Sequence, residues 1–336
     1  MGTVSKVSVV MVLAIGVLGG ALGYYRVAAT APTANKTSIS TLARGQTFPT
    51  IKISRKFAKG TNFMGMALVK DPNGDLITVG GYNGTEFTAN INELLPQQKH
   101  LGTMPEPMHD MAAGYIGNVL YIFGGGQSAS SSNIVSMVRG KTTISGQLSS
   151  PLSDATSVPY SYQGHEGLLL IGGYDGHVFR RQADFVYISQ GQLRFDPVFQ
   201  LPVGLRYTAV SASGNKVFMA GGLKSSGVVS PMIYEWHPGL SAAIPVATLP
   251  FARYQAASWV VPGFLMLAGG LNTAGNPTSQ VVAINLTNHQ VKVVGKLPFS
   301  LADMAYNSVH DVAYLTGGIQ SSSGNVNETI MMVHTK

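Results

Sequence analysis

Three observations predict an all-β fold, a six-bladed propeller of four-stranded blades. An apolar run ending in a glycine doublet recurs six times. The first glycines of these doublets, at 80, 124, 172, 221, 269 and 317, follow one another in steps of 44, 48, 49, 48 and 48. A lone strand near the amino end supplies what the last unit lacks. A unit of this length with four short strands fits a propeller blade. It is too long for leucine-rich or hexapeptide solenoids, and no amphipathic helical pairs support a helical array.

Ahead of the repeats, a transmembrane helix is expected. Val7 to Tyr25 is a run of 19 positions without charge, enough to span roughly 28 Å as a helix, close to a bilayer core. Secretory signals usually carry a shorter apolar run, so residues 1–26 read as an uncleaved anchor, with cleavage after Ala29 as the alternative. Residues 27–46 are rich in Ala, Thr and Ser and read as a basic, flexible stalk. The flanking charges do not favour export of the carboxyl side, although long domains translocate largely regardless of loop charge. The expected location is the cell membrane, single-pass and with the propeller outside the cytoplasm, or secretion if the segment is cleaved.

The propeller is assigned to residues 47–336. Its landmark strands are LITVGG from Leu76, LYIFGGG from Leu120, LLLIGG from Leu168, VFMAGG from Val217, LMLAGG from Leu265 and AYLTGG from Ala313. Glycine suits the doublets because it tolerates positive φ and lets backbones approach closely. Upstream of the last five doublets, a Pro-containing turn leads into the next strand, as in LPFARYQAAS from Leu249 and LPFSLADMAY from Leu297. The proline marks a break between the outgoing strand and the next. In the fifth unit the expected strands are Ala256–Val261, Phe264–Ala268, Gln280–Asn285 and Gln290–Val294. The sixth stops after TIMMVHT at Thr329–Thr335, one strand short, while TIKISRKF at Thr50–Phe57 has no partner strands of its own. Thr50–Ser54 is therefore expected to be the outer strand of the sixth blade, which removes an exposed sheet edge.

With doublets, turns and strands in place, the chain resembles the kelch family of β-propellers over residues 50–336. The repeats are degenerate: of the Tyr and Trp that kelch repeats carry after the doublet, Trp236 comes close to a match and Trp259, in an inner strand, does not. The resemblance implies a ring-shaped scaffold and no single activity, since kelch proteins range from enzymes to protein-binding modules. A six-bladed kelch mutarotase that epimerises sialic acid is a precedent, but its acid and arginine cannot be aligned onto this chain.

One mouth of the ring is expected to gather Asn62, His109, Asp110, Asp154, Arg206, Arg253 and Asp303, from the connections into the inner strands. Counted from the turn proline, His109 and Arg206 share one offset, Asp110 and Asp303 the next, and Asp154 and Arg253 a third. Carboxylates with arginines suit acid–base work and anion binding; the same groups also suit capping of inner-strand amides and bridging between blades. The loops after the doublets add Tyr82 and Tyr174, either as sugar-stacking aromatics or as packing between blades, and Asp175, whose Asp-Gly pair is what a tight turn requires.

Composition removes several chemistries. With no cysteine, there is no disulfide framework, thiolate metal site or Cys–Tyr radical copper centre. The eight histidines show no metal-ligand spacing. No sialidase box, Walker loop or dinucleotide fingerprint is present, so neither metal nor cofactor is expected. The formal charge of +7 is uneven: eight basic side chains and no acidic one occur up to Lys59, and 14 basic against 15 acidic beyond it. Nucleic acid is thus not an expected partner of the propeller. The expected function is a tethered, extracellular binding or interaction module for a glycan, cell-wall component or protein, touching membrane through residues 7–25. The alternative is a carbohydrate-active enzyme, mutarotase- or lyase-like, using Asp110, Asp154 or Asp303 with Arg206 and Arg253.

Overall fold

Each doublet run forms the second strand of its own sheet. In the computed structural model, which describes residues 47–321, 324 and 326–336, six four-stranded antiparallel sheets follow one another along the chain. The anchor and stalk expected at 1–46 lie outside the described residues. Among the described residues no helix is long and apolar enough to cross a membrane.

The first blade comprises Ala67–Lys70, Leu76–Val79, Asn90–Leu95 and Lys99–Thr103, and the second begins at Ala112–Ile116 and Val119–Phe123. The third and fourth have inner strands Thr156–Tyr162 and Ala209–Ser213. The fifth consists of Ala257–Val261, Phe264–Ala268, Thr278–Asn285 and Val291–Leu301. Its last strand continues through Pro298 instead of breaking there. Pro298 lies on the outer edge, where no further strand needs its amide, and the pairing with Thr278–Asn285 is bulged at this end.

The sixth blade is closed across the termini. Its chain-contiguous strands are Ala305–Val309, Val312–Thr316 and Thr329–Thr335, and its outer strand is Ile51–Phe57, in register from Ile51 opposite Thr335 to Phe57 opposite Thr329. Reciprocal amide–carbonyl bonds between Thr50 and Lys336, at 2.9 and 3.0 Å, extend the seam.

Alternation along each strand places apolar side chains on both sheet faces, and each face packs on a neighbouring blade. Six apolar clusters result among the described residues, one per interface, from the cluster of Val79, Ile91, Met111 and Ile122 between blades one and two to that of Leu68, Leu76, Ala305 and Ile330 between blades one and six. Trp236 fills the interface of blades three and four, stacked on Phe199 at 4.5 Å and donating its indole N–H to the Leu240 carbonyl at 2.7 Å. Trp259 fills that between blades five and six, beside Leu315 and Met331.

The glycine doublets are the contact points between consecutive blades. The first glycine of every pair has φ between +59° and +69°, and a Cβ on it would overlap a backbone carbonyl of the segment that leads into the next blade: that of Met108, Leu152, Leu205, Arg253, Leu301 or Phe63. The second glycine donates its N–H to that same carbonyl, at 2.8 to 2.9 Å in all six blades. Left-handed backbone and near contact together require glycine at the first position.

Candidate functional site

The axis is built from six residues that enter the inner strands: Gly65, Asp110, Asp154, Tyr207, Gln255 and Asp303. All six have left-handed backbone, with φ from +54° to +61°. Each donates its backbone N–H to the carbonyl of its counterpart in the preceding blade: Asp110 to Gly65, Asp154 to Asp110, Tyr207 to Asp154, Gln255 to Tyr207, Asp303 to Gln255, and Gly65 to Asp303, at 2.8 to 3.3 Å. Six hydrogen bonds thus form a closed circle around the axis. Asp tolerates this conformation better than most residues, whereas Tyr207 and Gln255 are uncommon there.

The circle forces three carboxylates together. Asp110 accepts from His109 Nδ1 at 2.8 Å and Asp154 from the Arg206 guanidinium at 2.8 Å. Asp154 is 6% exposed and also accepts from the Ser153 hydroxyl at 2.8 Å. Asp303 has a hydrogen bond from Gln255 and, among the described residues, no ion pair. Gly65 supplies the room, because a Cβ there would stand 2.6 Å from the Asp110 carboxylate and 3.1 Å from His109 Nδ1.

Burial and mutual repulsion dominate the electrostatics. Burial raises the Asp154 pKa to about 6, with the Asp110 charge adding and Arg206 opposing. Asp303 rises well above the usual carboxylate range, again by burial first and then by Asp110 and Asp154. Burial also lifts the Tyr207 phenol, helped by Asp110 and Asp154. For His109, burial acts downward, but the hydrogen bond and charge of Asp110 outweigh it and the net shift is upward. Arg206 balances likewise: burial lowers, Tyr207 and Asp154 raise more.

A chamber of about 770 Å³ adjoins the circle. Asp110, Asp154, Tyr207, Gln255 and Asp303 line one end, and residues from all six inner strands form its walls, among them Leu68, Ala113, Ser157, Ser211, Ser258 and Tyr306. These walls are stitched between blades. The Ser157 hydroxyl donates to the Ala113 carbonyl at 2.6 Å, the Ser211 and Ser258 hydroxyls meet at 2.9 Å, and Asn307 donates to the Leu68 carbonyl at 2.9 Å. Polar side chains and backbone therefore face the interior along much of its length.

The sequence-derived residues divide into distinct places. Asp110, Asp154 and Asp303 meet at the circle, with His109 and Arg206 immediately before it in their blades. Arg253 stands apart: it is 1% exposed, donates to the carbonyls of Gly269 and Gln280 at 3.1 and 3.3 Å, and its pKa is lowered to about 10 by burial. It braces the fifth blade and does not line the chamber. Asn62 precedes the circle in the first blade and is also outside the chamber lining. Tyr82 and Tyr174 each donate the phenol to a turn carbonyl, of Gly84 and Gly176, at 2.7 Å. Tyr82 stacks on Phe87 at 4.5 Å, and Phe87 on His109 at 5.2 Å. Arg206 lies over three rings, those of Tyr174, Phe179 and Tyr207, at 5.4, 5.3 and 4.4 Å. Asp175 accepts the amides of His177 and Val178, as a tight turn requires, and these bonds hold its pKa down against the upward effect of burial. Among the described residues no group of acids and histidines is arranged to hold a metal ion.

Sequence reasoning did not reach Tyr207, Gln255 or Gly65. The signal was present: the circle residue lies 14 positions before the first glycine of the doublet in four repeats, and 15 and 18 before it in the first and third. The turn proline carries the same signal: the circle residue stands five positions after it at Asp110, Tyr207, Gln255 and Asp303, and three after it at Asp154.

The sign of the pH dependence follows. At Asp154 and Asp303, whose pKa values lie above those of the unfolded chain, the native state holds more protons, so the contribution of these two groups to stability falls as pH rises from about 4 through 6 and beyond. Asp303→Asn is expected to raise the melting temperature by about 2–4 °C at pH 8 and to leave it nearly unchanged at pH 4. Equal shifts at both pH values would show that charge at Asp303 is not what matters.

The chain therefore belongs, by architecture, to the six-bladed β-propellers. Its similarity to known proteins is structural: no family model matches, and no curated protein matches. A solved structure entitled "Structure of YjhT" superposes with a TM-score of 0.69 at 13% identity, over 83% of this chain and 99% of that one. At that identity the likeness speaks to fold.

Proposed function

We propose that this protein is a membrane-tethered, exported binding propeller with a kelch-like repeat pattern, and that its axial chamber takes a glycan. The observation that carries the reading is the gathering of three carboxyl groups, a carboxamide and a phenol at one end of a chamber of about 770 Å³ with hydroxyl-bearing walls. That volume suits a small ligand. A carboxyl held protonated donates as well as accepts, which matches the paired donor and acceptor character of sugar hydroxyls. The uncharged run from Val7 to Tyr25 supports the tether.

The test is a melting and calorimetric screen of the protein against neutral and acidic oligosaccharides, repeated on Asp110→Asn and Asp303→Asn. Binding that weakens at least about tenfold in both variants, from lost hydrogen bonds to buried polar groups, is the expected result. Saturable binding that neither substitution changes would place the ligand elsewhere.

One observation favours an enzymatic second reading. Asp303, shifted toward the protonated form, shares a site with Asp154, whose pKa of about 6 suits proton exchange near neutrality. Turnover of a sugar that vanishes in Asp303→Asn while binding persists would establish it; absence of turnover on every sugar bound leaves the binding module.

A further inference from the structure

We infer that the outer strands of blades five and six form a docking surface for an anionic lipid bilayer, which orients the tethered propeller; this rests on the proposed tether. The closing strand and the residues just after it carry Lys52, Arg55, Lys56 and Lys59, and the neighbouring outer strand Val291–Leu301 carries Lys292 and Lys296. All six are exposed, and none forms an ion pair among the described residues. The two strands adjoin: Ile51 and Ile53 pack in the same cluster as Val294 and Phe299, and a Cβ on Gly295 would stand 2.6 Å from Ile51.

No other outer strand is like this. Lys99–Thr103 has its lysine paired with Glu93 at 2.8 Å, Lys141–Gln147 has a single lysine, Gln192–Gln200 balances Arg194 with Asp196, and Ile244–Thr248 has no charge. Two acids adjoin the ends of the pairing strand through backbone bonds: the Glu328 carbonyl accepts from the Ala58 N–H and the Asp311 carbonyl from the Thr335 N–H, both at 3.1 Å.

Apolar groups are set among the cations. Phe57 is 67% exposed and Val293 38%, while the Arg55 guanidinium lies 5.6 Å from the Phe299 ring centroid and Lys292 Nζ 5.6 Å from that of Phe48. Cations beside an exposed aromatic ring suit a headgroup region, where the ring enters the interface and the charges meet anionic lipid. Chain length agrees. Only the 21 residues from Arg26 to Gln46, at most about 75 Å of extended chain, separate the proposed membrane-spanning segment at 7–25 from this strand, the first of the propeller.

The test uses the full chain. It has no cysteine, so Ser54→Cys gives a single fluorophore on the closing strand. The labelled chain is added to phosphatidylcholine vesicles with or without about 30% phosphatidylglycerol, carrying a headgroup-region nitroxide lipid. Expected is at least about twofold greater quenching in the anionic vesicles, lost at high salt and lost when Lys52, Arg55, Lys56 and Lys59 are all changed to Gln. Should that variant misfold, Lys292→Gln with Lys296→Gln, on a different strand, serves in its place. Equal quenching in both vesicle types would overturn the inference, as would binding of soluble dextran sulfate without quenching by lipid. Association with anionic vesicles alone would sink the tether and keep the patch; association with neither would sink both.

Discussion

Removal of Thr50–Phe57 is expected to lower the melting temperature by more than about 10 °C or to yield only aggregated protein. The strand makes the whole outer ladder of the sixth blade, from Ile51 opposite Thr335 to Phe57 opposite Thr329. Its loss would turn Thr329–Thr335 into an edge and uncover part of the cluster that buries Met331 and Val333 completely. Each such side chain contributes about 1.5–3 kcal/mol when buried. Losing several approaches the total stability of a typical domain, about 5–15 kcal/mol. The exposed edge would also invite pairing between copies. Lys52→Gln with Lys56→Gln serves as the control, since it keeps the strand and its inward isoleucines and should melt like the wild type. A deletion variant that stays monomeric and melts within about 2 °C of wild type would remove closure as a source of stability.

Gly124→Ala should destabilise the protein by at least about 3 kcal/mol, and Gly176→Ala by about 1 kcal/mol. Both glycines have positive φ, +61° and +94°. Only Gly124 is pressed against the next blade, where an added methyl would collide with the Leu152 carbonyl, the same oxygen that accepts from Gly125 at 2.8 Å. At Gly176 the space is open. The comparison separates intrinsic backbone strain from the inter-blade contact. Urea denaturation of the two variants measures it, and equal losses would mean that the doublet contact contributes little.

Much of this architecture was legible in one dimension because it rests on steric rules that act locally. A backbone that must be left-handed and uncrowded admits glycine and little else, so the doublets stand out in the text of the chain. A strand without partners at one end and a unit lacking a strand at the other imply closure, since an open edge is a liability in water. The fifth unit's strands were foreseen within a few residues, except that Val291–Leu301 continues through Pro298. An edge strand has no outer partner to lose, so proline did not act there as a break.

The candidate site was legible in residue type but not in arrangement. Asp154 and Arg253 share an offset from their turn prolines, yet Asp154 lies in the axial circle and Arg253 is enclosed in its blade, with carbonyls for partners. The turn leading into blade three is shorter, and Asp154 reaches the axis sooner after its proline than Asp110 or Asp303 does. Tyr207 and Gln255 gave no chemical signal, because neither belongs to a recognisable catalytic or metal-binding pattern. Their place in the circle comes from backbone conformation.

From sequence alone came the six repeats, the closing strand, the absence of cysteine chemistry and the confinement of excess positive charge to the stretch ending at Lys59. These are properties of composition, periodicity and local backbone preference. Only the tertiary structure decided that three acids from blades two, three and six face one another within a closed circle of backbone hydrogen bonds. It alone set the basic closing strand beside Lys292 and Lys296. Strands from the two ends of the chain meet there because the ring joins its last blade to its first. Proximity of that kind depends on curvature accumulated over all six blades, and no local stretch of sequence encodes it.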